Sequence, residues 1–299
     1  MYQVNQSVPV VWRSERCVQF GVDDPALVDG LTAEDAELVG LVRMGIGTDE
    51  FFDRAAYLGV PRARAGSLLA ILDEAAALVP LHHDEGPEVT TSHTDAYASA
   101  LGLSPTRVAR TLGATDVAVT GPLRHALSPV LTAVGFAVRS VERAEDAFEL
   151  RAPLVVLTSV WVEDAVSAGG LLEHTVPHLH VVLGQHRATV THVVDPGVTP
   201  CTKCRFLHRT DADDEWMSTW RALWRQQPAL SRTDPLLGHL AMAHVAGLLR
   251  THAVHAPSVP VDLEITLPHG SVTERAATFH PECDCRIPIG THGITERSA

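Results

Sequence analysis

Four cysteines in two close pairs are the residues of this chain best suited to chemistry. Cys201-Thr-Lys-Cys204 is a C-x2-C knuckle, Cys283-Asp-Cys285 is a C-x-C pair, and 78 residues lie between them. A tetrahedral zinc ion held by four thiolates needs two such pairs brought together by the fold. Each pair follows a stiff turn, Asp195-Pro-Gly-Val-Thr-Pro200 before the first and His280-Pro281 before the second. The expectation is a closed, structural Zn2+ site on Cys201, Cys204, Cys283 and Cys285, with no open position for catalysis. A redox motif is the alternative for one pair taken alone. His280 could replace a cysteine ligand, but with four thiols at hand it reads as a neighbour of the site. The fifth cysteine, Cys17, reads as a small buried hydrophobe.

No other set of residues makes a catalytic constellation. The 17 histidines contain no H-E-x-x-H motif, and there is neither a Walker A loop nor a G-x-S-x-G elbow. Ser159, Asp164 and His174 have no spacing that supports a triad. No catalytic residue is assigned.

The elements that must position the cysteines come from a chain of 299 residues that is 45% hydrophobic and carries a net charge of -13. That is enough apolar material for a sizeable core. An acidic chain with no densely basic stretch repels polyanions, which argues against nucleic acid as a partner. The N-terminus lacks the apolar core of a secretory signal, and no run of about 18 apolar residues spans a membrane. A cytoplasmic protein is expected, and there cysteines are thiols or metal ligands rather than disulfides.

Val8–Trp12 and Cys17–Val22 read as a hairpin split by Arg13-Ser14-Glu15-Arg16. Three helices follow. Thr32 is the expected N-cap of the first, with Asp35 at the third position. Thr48 is the expected cap of the second, and the third is expected from Pro61 to Val79, with Ala75 and Ala76 on its apolar stripe. Residues 80–92 are polar and rich in breakers, as a linker is, and include the solvated pair His82-His83. Helical stretches at 94–101 and 105–112 come next. Strands are then expected at Asp116–Thr120, Phe136–Val141, Leu154–Thr158, His180–Leu183 and Thr189–Val194. With the helical pattern after Gly121 they point to a parallel α/β sheet. Helices at Trp216–Trp224 and 235–253, and strands within 259–279, complete the chain. Trp216, Trp220, Leu223 and Trp224 share one helical face, which reads as core packing.

These motifs resemble a family. The strand, glycine turn and helix at 116–135, the segment 184–204 and the late cysteine pair look like the E1-like ThiF/MoeB superfamily. Pro196 to Asp211 and His280-Pro-x-Cys-x-Cys285 are closer to the ThiF-like partner proteins of YcaO cyclodehydratases, leader-peptide-binding proteins of azole-forming peptide pathways. The resemblance implies an α/β, Rossmann-like E1/ThiF-type domain with a four-cysteine zinc site at 116–299. A small PqqD-like winged-helix module at 1–80 would precede it, with a linker and helices at 81–115 between them. It implies a precursor leader peptide bound as an added strand on the hairpin edge against the third helix, a YcaO-type partner enzyme, and leaves a homodimer open. Carried over, peptide contacts would come from Val18, Phe20, Leu68, Leu69 and Leu72. The alternative is that these five form the module's core.

Adenylating members carry a G-x-G-x-x-G turn whose backbone approaches nucleotide phosphates. Here it reads Gly121-Pro-Leu-Arg124-His-Ala126, with one glycine left, and Pro122 offers no amide donor. Glu142 is a loose candidate for the ribose acid, and Glu163-Asp164 is displaced from the position expected of a Mg2+ acid. Gly121 and Arg124 therefore read as a degenerate loop, and ATP is not an expected cofactor. The leading expectation is a non-catalytic peptide-binding scaffold that presents a ribosomal peptide to a YcaO-type cyclodehydratase. An ATP-dependent adenylyltransferase acting on a peptide C-terminus is the second. A winged-helix DNA-binding regulator is the third, with only Arg62 and Arg64 on its third helix to meet phosphate.

Overall fold

The structure, a computed structural model, describes residues 2–4, 8–21, 25–74, 78–80, 94–149, 154–226, 233–255 and 259–286. The chain forms two compact units, Met1–Arg110 and Thr111–Ala299. Among the described residues no helix is long and apolar enough to cross a membrane.

In the first unit, β1 (Tyr2–Val4) pairs antiparallel with β5 (Leu78–Pro80). A separate three-stranded sheet has the order β2 (Val10–Ser14), β3 (Cys17–Phe20), β4 (Ala26–Asp29), all antiparallel. The expected hairpin is β2–β3; β4 is additional. Three helices follow, α1 (Ala33–Met44), α2 (Thr48–Tyr57) and α3 (Arg62–Glu74). The Thr32 hydroxyl accepts from the Asp35 amide while the Asp35 carboxylate accepts from the Thr32 amide, the reciprocal capping box. Arg64 pairs with the same buried carboxylate and holds it below the usual range. Two expectations are corrected here. Gly47, not Thr48, caps α2, and Thr48 is its first helical residue without a side-chain cap bond. The third helix is described as Arg62–Glu74, and Val79 belongs to β5 instead. Val79 obeys the helical spacing, but its backbone pairs with Gln3, a partner 76 residues away that no local pattern reveals. Ala75 and Ala76, and the proposed linker with His82-His83, lie outside the described residues. α4 (Asp95–Ala100) and α5 (Pro105–Gly113) stand where helices were expected.

The second unit is built on a seven-stranded sheet. Its strands are β6 (Asp116–Thr120), β7 (Ala137–Ser140), β8 (Leu154–Val160), β9 (His178–Leu183), β10 (Arg187–Val190), β11 (Val261–Thr266) and β12 (Ser271–Ala276). They are ordered β12-β11-β10-β9-β8-β6-β7. Only β7, β6, β8 and β9 run parallel; β10, β11 and β12 are antiparallel additions, so the sheet is mixed rather than wholly parallel. The short Gly184–His186 turn returns β10 beside β9 as a hairpin, and a hairpin can only be antiparallel. β8 and β9 are buried at every position, as strands covered on both faces are. Helices α6 (Arg124–Ala133), α7 (Asp146–Glu149), α8 (Ala165–Glu173), α9 (Thr202–Ala212), α10 (Trp216–Arg225) and α11 (Pro235–Val254) complete the unit. The chain runs from β6 to β7 on one side and returns to β8 on the other. The topological switch point therefore lies between β6 and β8, where open α/β sheets form their ligand crevice.

Two histidines are buried in the centre of this sheet. The His178 ring donates from Nδ1 to the Val176 carbonyl, and neither nitrogen of His180 has a hydrogen-bond partner among the described residues. Burial, with His192 nearby, pushes His178 down to about 4, and burial, with His178 and Arg205 nearby, pushes His180 well below its ordinary value. Both fold neutral, and in the unfolded chain both take up protons near pH ~6.5. Stability is therefore full above that pH and is lost as pH falls toward 4, by up to about 3 kcal/mol for His178 alone. Urea unfolding at about pH 7 and pH 5 checks this. His178→Asn and His180→Leu chains should lose less stability across that interval, and an unchanged pH dependence would reject the assignment.

Candidate metal centre and switch-point crevice

The Asp195–Thr199 turn and the start of α9 build the first cysteine pair. The Asp195 amide donates to the Thr199 hydroxyl at 2.8 Å and the Thr199 amide to the Asp195 carbonyl at 3.0 Å, while Gly197 supplies the positive φ the turn needs. Cys201 is the N-cap of α9 and Cys204 sits in its first turn, so both thiols face the positive end of the helix dipole. The second pair hangs from a turn in which the Cys283 amide donates to the His280 carbonyl at 3.0 Å.

The fold brings the pairs together. Cys201 Sγ lies 3.7 Å from Cys283 Sγ, Cys204 Sγ lies 3.6 Å from Cys285 Sγ, and all four sulfurs fall within 4.8 Å of one another. A tetrahedron with metal–sulfur bonds of about 2.3 Å has edges of about 3.8 Å. The cluster has that size, whereas a disulfide needs sulfurs about 2.05 Å apart. The donor set therefore fits a tetrahedral, thiophilic divalent ion. The thiol electrostatics agree. Hydrogen bonds from Cys201 and from the His280 amide pull Cys204 down to about 4. Burial and the neighbouring Cys204 charge push Cys285 up to about 12, and Cys201 is pushed up by its bond to Cys204 and by burial. Four thiolates at these spacings need a cation among them.

A second group, His208, Asp211 and His280, lies beside the cysteines. Its bonding makes it a clamp rather than another metal site. His280 Nδ1 accepts from the Glu282 amide at 3.1 Å, so the neutral ring carries its proton on Nε2, which donates to the Asp211 carboxylate at 2.8 Å. No lone pair remains on that ring for a metal. His280 is 4% exposed and packs edge-on against His208, tying α9 to the loop of the second pair.

At the switch point the turn after β6 is bonded to β8. The Thr158 hydroxyl donates to the Thr120 carbonyl at 2.7 Å and accepts from the Leu123 amide at 3.0 Å. Gly121, at φ +84°, has no room for a Cβ, which would stand 1.9 Å from the Thr158 carbonyl oxygen. The surviving glycine is thus required by packing. Arg124 donates from Nη2 to both carboxylate oxygens of Glu142 at 2.7 and 2.9 Å, and Arg139 pairs with Asp116. Glu163 is buried against Arg205, and the Asp164 carboxylate caps α8 by accepting from the Ser167 amide and hydroxyl.

The five residues carried over as peptide contacts are corrected by burial. Val18, Phe20, Leu68 and Leu72 are at most 4% exposed and belong to the core of the first unit, and Leu69 is half-buried against it. β3 is also the central strand, so its backbone is fully paired. Exposed apolar side chains are Val11 and Trp12 on edge strand β2, Leu27 on edge strand β4 and Ile71 on α3 instead. Sequence reading also passed over a buried ionic network. Arg205 joins Glu163 at 2.7 Å and Asp262 at 3.4 Å, and Asp262 meets His192 Nδ1 at 2.9 Å. His192 Nε2 in turn faces the Pro200 carbonyl, next to the first cysteine.

Comparison with known proteins places this fold. The heterocyclase TruD superposes with a TM-score of 0.67 at 17% identity, over 95% of this chain and 42% of its own. A heterocyclase in complex with substrate and cofactor gives 0.62 at 16% identity, over 92% of this chain and 38% of its own. Escherichia coli MccB gives 0.61 at 12% identity, over 100% of this chain and 99% of its own, and MccB has been crystallised with MccA and with ATP. The chain thus spans about two fifths of the length of the two heterocyclases. At these identities the likeness is one of fold alone. No protein-family model matches the chain, and no curated protein matches it.

Proposed function

We propose that this chain is a non-catalytic scaffold that binds the leader of a precursor peptide and presents the peptide to a YcaO-type cyclodehydratase. The observation that supports the reading is the β6–α6 turn: the Leu123 amide is held by Thr158 and Arg124 pairs with Glu142, so two groups that could meet a triphosphate are already bonded within the chain. The zinc ion on Cys201, Cys204, Cys283 and Cys285 is a structural staple in this reading. The first unit, a winged-helix module, is the recognition element. Arg64 of α3 donates to the Gly30 carbonyl at 2.9 Å, directly after β4, so the first turn of this helix is tied to the end of β4. That edge is unpaired among the described residues, and an extended peptide added there would leave its side chains to Leu27 and Ile71. The likeness to part of a heterocyclase supports a role in the same chemistry, with the remaining catalytic machinery supplied by the partner enzyme.

The adenylyltransferase reading draws on the full-length likeness to MccB, but its phosphate cradle is occupied by the chain itself. The DNA reading loses both its arginines: Arg64 is paired with Asp35, and Arg62 lies over the Phe52 ring at 4.3 Å.

A fluorescent synthetic leader, from the precursor encoded nearest the gene, should bind the full chain saturably. Leu27→Asp or Ile71→Asp should weaken it at least about tenfold, the value of one buried apolar contact. ATP–pyrophosphate exchange with that peptide should stay at background. Absence of saturable binding, or clear exchange, defeats the scaffold.

A further inference from the structure

We propose that the switch-point crevice receives a cation, the guanidinium or ammonium group of a basic peptide side chain. The proposal rests on the reading that its nucleotide function is lost, and it adds the class of ligand that the remaining walls select. The crevice encloses about 360 Å3, at the small end of ligand pockets. Glu142, Glu145 and Asp164 line it against Arg143 alone. The arginines nearby are already matched by acids: Arg124 by Glu142, and Arg143 by Glu145 and Asp146 at 3.9 and 3.7 Å. Asp164 is different. Its carboxylate takes two hydrogen bonds from Ser167, and no cation pairs with it among the described residues.

An aromatic wall stands next to that carboxylate. Trp224 lines the crevice and stacks on Trp220, with ring centroids 5.7 Å apart and planes 8° from parallel. The Trp220 indole N–H donates at 3.2 Å to the carbonyl of Glu163, the residue before Asp164. The stack is therefore fixed beside the carboxylate. A ring and a carboxylate side by side, partly shielded from water, hold a cation better than either does alone. A third observation is independent of charge. Ser159 lines the same crevice, is 4% exposed, and its buried hydroxyl has no hydrogen-bond partner. Such a hydroxyl is an acceptor left for a ligand's N–H. An anion would meet the reverse of all this: a Leu123 amide already bonded, a proline without an N–H, and an unpaired carboxylate.

The test is a titration of the full-length, zinc-loaded chain with N-acetyl-arginine amide, followed by tryptophan fluorescence and ligand-observed NMR. N-acetyl-citrulline amide, nearly the same shape without the charge, is the control. The arginine probe should bind saturably and the citrulline probe should not. Asp164→Asn keeps the α8 cap, because Asn caps helices as well as Asp does, and should weaken the arginine probe about fivefold or more. Trp224→Leu should do the same. Equal binding of the two probes, or unchanged affinity in Asp164→Asn, overturns the cation site. No binding of the arginine probe, with ATP also silent, overturns it and leaves the scaffold reading standing. ATP binding that displaces the arginine probe, or that occurs where the probe fails, overturns both.

Discussion

Chelating zinc from the reduced protein should lower the unfolding midpoint of the Thr111–Ala299 unit by roughly 8–16 °C. A ligand present at a thousand times its dissociation constant stabilises the folded state by about 4 kcal/mol. For a unit of this size each kcal/mol corresponds to about 2–4 °C. The cluster is suited to transmit that energy because its halves come from distant parts of the chain, α9 on one side and the turn after β12 on the other. Without a cation, Cys201 and Cys285 are pushed toward the thiol form and Cys204 toward the thiolate, so the four sulfurs do not share the charge that a staple needs. Cys204→Ser should reproduce the chelator's effect and abolish one-to-one zinc content. Metal loading should fall on acidification, because protons compete for the thiolates. Leader binding by the first unit should persist. Metal analysis that finds no zinc in reduced protein, or a midpoint that ignores the chelator, refutes the assignment.

What the sequence made legible was what is local. The capping box at Thr32 and Asp35 is set by two residues three positions apart, and both hydrogen bonds are present. The paired cysteine spacings are local too, and the turns before them could be named. The pairing of β1 with β5, and of β10 with β11, joins residues more than 70 positions apart, and the hydropathy pattern of one strand says nothing of its partner. β4 was passed over because Ala26 to Asp29 alternates over only four residues, and only its place beside β3 makes it a strand. The peptide contacts were misplaced for a related reason. Alternation separates two faces of a strand but cannot say which face is covered, and α1 to α3 cover the face bearing Val18 and Phe20. That a single glycine remains in the turn at Gly121 was legible; that the Thr158 hydroxyl bonds this turn was not, since a threonine 37 residues after Gly121 carries no signal.

Replacing Arg205 by methionine should cost about 3–5 kcal/mol, the loss expected when one partner of a buried ion pair is removed. In the sequence Arg205 is one more basic residue after the knuckle, where a solvated helix face would be expected. In the fold its side chain is 12% exposed and joins two carboxylates, Glu163 at 6% and Asp262 at 14%. Burial pushes Asp262 up, but the His192 hydrogen bond and the Arg205 charge outweigh it and hold the group below its usual range. A carboxylate held low contributes stability above its unfolded value near ~3.9 that is lost as pH falls. Removing Arg205 should therefore shrink the acid sensitivity of Asp262 while lowering stability at neutral pH. Neutralising the orphaned acid should return part of the loss, so Arg205→Met/Glu163→Gln should be more stable than Arg205→Met alone. The readout is guanidinium unfolding of the zinc-loaded chain near pH 7. A loss under about 1 kcal/mol, or a double variant no better than the single, would show that water screens these charges and that the network does not hold α9 to the loop after β8 and to β11. The distinction reaches the metal centre. Cys204 immediately precedes Arg205, and the His192 ring on Asp262 also bonds the Pro200 carbonyl before Cys201. If the network is what orients α9, Arg205→Met should weaken zinc retention in a chelator competition even though no ligand has changed.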